Sequence, residues 1–423
     1  MIVDPITSKI PVQAWMEKPS TQTVMNALQS DGRDARFVGG CVRDSLIGRS
    51  EISNIDIATP IEPDGVIALL EQAGLRAIPT GLEHGTITTV FEGEIFEITT
   101  LRRDIDTDGR HAKIAFSDNW LTDAQRRDFT INAIYCDVKG ALYDPFGGSK
   151  DLKTGKVRFV GNAEKRISED FLRILRFFRF YAHFGSNTPD AEAISACTKS
   201  AGKLKTLSGD RIRSELIKWL AAHSPIESLK HGTNCGVIAN ILNFSPDTST
   251  FSKLETLVSA EHSLRIPDPV RRLALLMSHI KPSKNTSQHL NFPRKTKRRL
   301  EAILASTTDI SPTLDDTAVH REIYRLGVEY VVDVALMNWA QSAAQDDVTW
   351  KTFIDSVTHW RAPQFPISGQ DIVDLGIPPG HQVGQVLNEV EEWWIAGNFQ
   401  STRAKILSEA GAVVTKYKGA TDQ

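Results

Sequence analysis

Cysteine is scarce and unpatterned: Cys41, Cys136, Cys197 and Cys235 show no CxxC spacing, which argues against a zinc site or a disulfide framework. No run approaches the roughly 18 apolar residues of a membrane span. Met1–Ala14 lacks a basic region followed by an apolar core, so no secretion signal is expected. Internal repeats and low-complexity tracts are missing. No glycine-rich loop ends in Lys-Ser or Lys-Thr, so any phosphate grip differs from that of P-loop ATPases. These absences point to a soluble cytoplasmic protein with no membrane partner and no evident obligate protein partner.

Positive charge is not in excess either. A net charge of -3 and a pI near 6.4 do not announce a nucleic-acid binder, although binding depends on where the positive charge sits. Residues 281–299 gather Lys281, Lys284, Arg294, Lys295, Lys297, Arg298 and Arg299 against no acidic residue. Read alone, this is a solvated loop and helix start or an anion-binding face.

At 423 residues, 41% hydrophobic and 24% charged, the chain is too long for one core and suggests two to four domains. Strand-like runs concentrate before about residue 160, and helical periodicity dominates after it. Helix, strand and helix are expected in turn over TQTVMNALQSDG, ARFVGG and CVRDSLIG. NIDIAT reads as a strand, EPDGVIALLEQAGL as a helix, and TITTVFEGEIFEITTLR as a hairpin around a Glu-Gly turn. Residues 102–118 are polar and poorly periodic and read as a mobile loop; residues 120–136 read as one helix carrying RRDFTINAIY. From about residue 165 proline-containing breaks separate a long series of helices.

Four segments could carry chemistry. In VGGCVRD, Gly39 and Gly40 stand between a strand and a helix, where backbone amides can approach a phosphate, with Arg43 and Asp44 in the first turn. Asn54 and Asp56 are i and i+2 on a strand, hence on one face. Two oxygen ligands so placed could hold a metal ion that polarises a nucleoside triphosphate. The Asn54 amide carries no formal charge and would hold Mg²⁺ more weakly, while Glu97 could add a third oxygen from a neighbouring strand. In RRDFTIN, Arg127 could grip phosphate, and Asp128 and Asn132 could share a face toward a sugar. In EDFLRILRFFR, Asp170 and Arg173 are i and i+3, with Arg176 nearby. A carboxylate beside a guanidinium complements cytosine and adenine but mismatches uracil and guanine. Each segment alone also fits a bland reading, a tight turn or a surface ion pair.

Together, VGGCVRDSLIGR, NIDIATP, FEITTLRRD, QRRDFTINAIY, YDPFGG and SEDFLRILRFFRF resemble in sequence the motifs of class II CCA-adding enzymes and bacterial poly(A) polymerases. The resemblance covers roughly residues 36–220 and ends near RIRSELIKWL. It implies an α/β nucleotidyltransferase head with a small mixed sheet, followed by an all-α neck, body and tail. The corresponding divisions are an N-terminal extension over 1–19, the head over 20–148, a base-binding neck over 149–225, and tRNA-binding body and tail over 226–345 and 346–423. By the same resemblance, Gly39, Gly40, Arg43 and Asp44 bind triphosphate, Asn54 and Asp56 occupy the metal positions with Glu97 beside them, and Arg127 and Asp128 contact phosphate and ribose. Asp170 and Arg173 read the base. Residues 102–116 fall where the family has a flexible loop.

The implied reaction is attack of a tRNA 3′ hydroxyl on the α-phosphate of CTP or ATP, with Mg²⁺ as cofactor and pyrophosphate released. The family pattern has an aspartate at the position of Asn54. That leaves open a tolerated variant, a substitution that traps an inactive complex, or a chain that binds without catalysing. The modest pI and the plain end TKYKGATDQ favour CCA addition over poly(A) synthesis. No His is followed by Asp, so an appended HD phosphohydrolase domain is not expected. With the resemblance in view, Arg294, Lys295, Lys297, Arg298 and Arg299 become candidate contacts to the tRNA backbone. ISGQDIVDLGIPPGHQVGQVLNEVEEWW reads as a helix-turn-helix in which Trp393 and Trp394 pack the core.

Overall fold

The structure, a computed structural model, describes residues 8–52, 54–108, 111–186, 188–278, 288–342 and 346–421. Lys281 and Lys284 of the basic stretch lie outside them. The chain divides into two compact units after Pro246, with the short segment ending at Asn291 belonging to the first.

Among the described residues the first unit holds ten strands: β1 (Ser8–Lys9), β2 (Arg36–Val38), β3 (Asn54–Thr59), β4 (Ile78–Gly81), β5 (Thr86–Phe91), β6 (Glu94–Thr100), β7 (Arg102–Asp108), β8 (His111–Phe116), β9 (Tyr135–Cys136) and β10 (Ala141–Tyr143). Eight of them form one mixed sheet in the order β1-β10-β9-β2-β3-β6-β5-β4. The β3–β6 pair is parallel and sets Asp56 opposite Glu97. The β5–β6 hairpin turns at Glu92-Gly93, both with positive φ, as the Glu-Gly turn requires.

Alternation along β3 and β6 sorts their side chains by face. Ile55, Ile57, Phe96 and Ile98 enter a core with Trp15, Met25, Leu28, Phe37 and Leu70. Ala58 instead joins Val38, Trp120, Ala124, Tyr135 and Tyr143. The second face is the one that Asn54, Asp56 and Glu97 share, one residue out of step with the core set.

Two sequence expectations need correction. Residues 102–118 are not a loop: β7 and β8 pair from Arg102↔Phe116 to Asp108↔His111 as a separate two-stranded sheet. Ladder hydrogen bonds come from the backbone and need no apolar stripe, so polarity gave no warning. The expected helix over 120–136 is broken into the helix Trp120–Arg126, a 3-10 turn Thr130–Asn132 and strand β9. Its Phe-Thr-Ile run favours extended or turn backbone, and Arg126 and Arg127 both fold back onto Asp123 and close the helix.

Every element after Tyr143 among the described residues is helical. In the first unit the helix Leu172–Phe184 buries Ile174, Leu175, Phe177 and Phe178 and leaves Arg173, Arg176 and Arg179 half-buried along one stripe. Phe178 stacks on Trp219 of the helix Gly209–Leu220, centroids 5.3 Å apart.

In the second unit every element among the described residues is helical. Its interior holds a charged cluster: Arg271 and Arg272 both reach Glu261, and Arg271 and Arg299 both reach Asp333, all four of those contacts at 2.6–3.0 Å. The helices Gly369–Asp374 and His381–Ala396 form the expected helix-turn-helix; Trp394 is buried in its core and Trp393 is partly buried against it. No helix among the described residues is long and apolar enough to cross a membrane.

Candidate functional site

The site begins at the turn from β2 into the helix Gly40–Leu46. Gly39 has φ 71° and ψ -122°, a conformation that any Cβ would strain. A Cβ there would lie 3.5 Å from Asp56 Oδ2 and 3.8 Å from Arg127 Nη1, so the turn, the carboxylate and the guanidinium surround one small space. This is the geometry that lets backbone amides approach a phosphate.

Asp56 is partly buried and faces Glu97 across the parallel pair, whereas Asn54 and Glu97 are exposed. Burial first, and the Glu97 charge second, push the Asp56 carboxyl up to about 6. Arg127 and Arg43 oppose the rise without cancelling it. A cation beside Asp56 would offset the burial and the Glu97 charge that hold its carboxyl up. Among the described residues no cluster of three or more His, Cys, Asp or Glu side chains is arranged to hold a metal. Asp56, Glu97 and the Asn54 amide present oxygen donors on one face of neighbouring strands, a set whose chemistry fits a hard divalent cation.

A chain of hydrogen bonds runs from this turn toward the helix Leu172–Phe184. Arg43 Nε donates to Asp44, and its Nη1 donates to Asn132 Oδ1 at 2.6 Å. The Asn132 amide donates to Asp128 Oδ1 at 3.0 Å, and Arg176 Nε donates to Asp128 Oδ2 at 2.7 Å. Burial alone would raise the Asp128 carboxyl, but Arg176 and the Asn132 amide draw it down to about 2. Arg127 is held by Asp123, at 3.1 Å, and by the Tyr135 hydroxyl, at 3.0 Å. Arg43 also lies 4.4 Å from the Phe184 ring, a cation–π contact that limits its freedom.

Asp170 and Arg173 are placed differently from the expectation of one helix face. The helix Ala163–Glu169 ends before Asp170, whose backbone is extended (φ -156°, ψ 108°), and a new helix starts at Leu172. The Asp170 carboxylate accepts from the Leu172 amide at 3.0 Å and from Arg211 Nη2 at 2.7 Å. Arg173 donates to Glu169 and to the carbonyls of Arg166 and Arg126. The two remain neighbours in sequence, each with its own partner of opposite charge.

The sequence reading passed over Asp123, Tyr135, Glu169, Arg211 and Glu215, the groups that hold the candidate residues in place. Glu215 forms an ion pair with Arg179 at 2.8 Å and faces Arg176 at 3.7 Å. The three-residue spacing of Arg173, Arg176 and Arg179 was the one local signal that an acidic partner lay opposite. Of the basic stretch, Arg294, Lys295 and Arg298 are exposed on the helix Arg294–Ala305, and Lys297 is partly exposed near Glu301. Arg299 is turned inward onto Asp333, Asp268 and Glu329.

Residues 35–158 match the Poly A polymerase head domain. CCA tRNA nucleotidyltransferase 1, mitochondrial, of Danio rerio is 34% identical over 388 residues, spanning 90% of this chain and 88% of that protein. The CCA-adding enzyme of Ligilactobacillus salivarius (strain UCC118) is 28% identical over 404 residues, with 92% and 94% covered. A solved structure, the Bacillus stearothermophilus CCA-adding enzyme in complex with CTP, superimposes with a TM-score of 0.75 at 26% identity, over 95% of this chain and all of that one. The mixed-sheet head, the helical remainder and full-length similarity agree: this chain belongs to the CCA-adding enzymes, the tRNA nucleotidyltransferases.

Proposed function

We propose that this chain extends the 3′ end of tRNA with C, C and A, taking CTP and ATP in turn at a single site. The observation that carries the reading is the hydrogen-bonded chain Asp44–Arg43–Asn132–Asp128–Arg176, which starts at the Gly39–Gly40 turn beside Asp56. In this reading the turn amides and Arg43 receive the triphosphate, and Arg127, fixed by Asp123 and Tyr135, grips a phosphate oxygen. Asp128 and Asn132 meet the ribose; their orientation is set before substrate arrives, so little ordering is left to the binding step. Asp170 and Arg173 read the base edge. Mg²⁺ held by Asp56, with Asn54 and Glu97, would stabilise charge on the α-phosphate and make the 3′ hydroxyl a better nucleophile.

Arg294, Lys295, Lys297 and Arg298 are proposed to meet tRNA phosphates. Four cations in the first turns of one helix oppose its dipole, so their placement suits an anionic ligand better than helix stability. The four-part division into head, neck, body and tail is retained as our reading. Poly(A) synthesis is the less favoured reading, because the similarity to CCA-adding relatives extends over nearly the whole chain rather than the head alone. Cytoplasmic residence belongs to the same proposal; the Danio rerio relative is named as mitochondrial, and cell fractionation tells the two apart.

The decisive experiment supplies labelled CTP and ATP, separately and together, to a tRNA lacking its 3′ CCA, with Mg²⁺. It compares this chain with its Asn54→Asp variant. Addition that stops at CCA supports the reading. The aspartate variant is expected to be faster, by up to about a hundredfold, since a further formal charge at the cation is worth a few kcal/mol. Unlimited addition of A by either protein would instead support poly(A) synthesis, and RNA binding with no addition by either would sink the enzymatic reading.

A further inference from the structure

We infer that Arg211 is a positioning residue for base selection: it holds the Asp170 carboxylate apart from Arg173, so that an acceptor and a donor both stay available to the incoming base. The inference rests on the reading of Asp170 and Arg173 as the base-reading pair.

Three observations support it. Residues i and i+3 of opposite charge ordinarily pair with each other on a helix, yet Asp170 and Arg173 do not. Asp170 sits in extended backbone between two helices, with Oδ1 tied to the Leu172 amide and Oδ2 taken by Arg211 Nη2. Arg173 is drawn off by Glu169 and two backbone carbonyls.

Arg211 also comes from a fixed platform. It lies in the first turn of the helix Gly209–Leu220. A Cβ on Gly209 would fall 1.6 Å from the His289 carbonyl oxygen, so only glycine lets the two backbones approach this closely. Arg213 donates to the Leu290 carbonyl at 2.9 Å. The start of this helix is thereby pinned within the first unit.

Finally, the Arg211 and Asp170 side chains are 28% and 25% exposed. An ion pair so exposed adds little to stability, and a ligand can still reach it. Each carboxylate oxygen has two acceptor positions, so the Arg211 bond leaves Oδ2 able to take the amino hydrogen of cytosine or adenine.

Without Arg211, the adjacent cation Arg173 becomes the natural partner of Asp170. The pair would close on itself, and the rotated carboxylate could take the ring N–H of uracil while the guanidinium meets its carbonyl. Selection would loosen where overall affinity need not collapse.

The test measures equilibrium binding of CTP, ATP and UTP to the full-length protein and to Arg211→Met, Arg211→Lys and Arg211→Gln, with melting temperatures alongside. Binding needs no turnover, so Asn54 does not interfere. The expected result is a CTP-to-UTP affinity ratio that drops about tenfold in Arg211→Met, the worth of one charge-assisted hydrogen bond, and returns in Arg211→Lys. The glutamine variant, which keeps a donor without the charge, carries the test should the methionine variant fail to fold. A ratio unchanged in the variants, even with all three affinities reduced together, overturns the inference. An unaltered protein that binds UTP as well as CTP removes the base-reading role itself, a different failure.

Discussion

Asp56 is costly to the fold that carries it. Burial and Glu97 raise its carboxyl from 3.8 to about 6. The folded chain therefore binds this proton more tightly than the unfolded chain, and stability declines as pH rises from about 4 to about 6. At neutral pH the deficit is fully present, on the order of 1–3 kcal/mol. Asp56→Asn should raise the melting temperature by a few degrees at pH 7 in the presence of a chelator, with little difference at pH 4; scanning fluorimetry at the two pH values reads this. The same substitution should abolish CTP incorporation. In the unaltered chain incorporation should fall as pH drops through about 6, because the protonated carboxyl no longer attracts a cation; a rate profile flat from pH 5 to 8 would contradict the assignment.

The helix Leu172–Phe184 puts its two faces to different uses. Ile174, Leu175, Phe177 and Phe178 build the core, and Arg176 on the other stripe neutralises the buried Asp128. The Asp128 carboxyl, held down at about 2, contributes stability that is present above pH 4 and lost as pH falls toward 2. Arg176→Met leaves Asp128 buried without its cation, a loss of about 3–5 kcal/mol, measurable by urea unfolding. Adding Asp128→Asn should recover part of that loss, since no charge then remains to be stranded; an equal or larger loss in the double variant would show that Arg176 acts through packing. At this scale the sequence was informative wherever pattern is local. The Glu92-Gly93 turn, the NIDIAT strand and the amphipathic helix from Leu172 onward stand as read, whereas Asp170 proved to lie outside that helix. It failed over 102–118 and 120–136, where backbone ladders and side-chain closure of a helix leave no periodic trace.

Across the whole molecule, one run of like residues divides into two uses. Lys295 and Arg298 point outward, whereas Arg299 completes the interior cluster with Asp333 and Asp268. Lys295→Glu with Arg298→Glu should weaken tRNA binding and flatten its salt dependence by about two units of slope, with CTP affinity unchanged. Filter binding over a salt series checks both. Arg299→Ala should instead lower the thermal stability of the second unit by about 3 kcal/mol or more, because Asp333 stays buried with less charge facing it. If Arg299→Ala left the melting curve intact and weakened only tRNA binding, the structural role given to it would be wrong.

The sequence by itself determined the fold class, the faces of β3 and β6, the candidate residues of the site and the family, because each depends on residue type at short spacing. Only the tertiary structure decided which partner each charged group takes. Asp170 meets Arg211 across 41 residues and Arg176 meets Asp128 across 48, and no local pattern encodes such a pairing. Arg299 illustrates the reason: beside Arg298 in sequence it is the same cation, and only the packing of other helices makes one a surface charge and the other part of the interior.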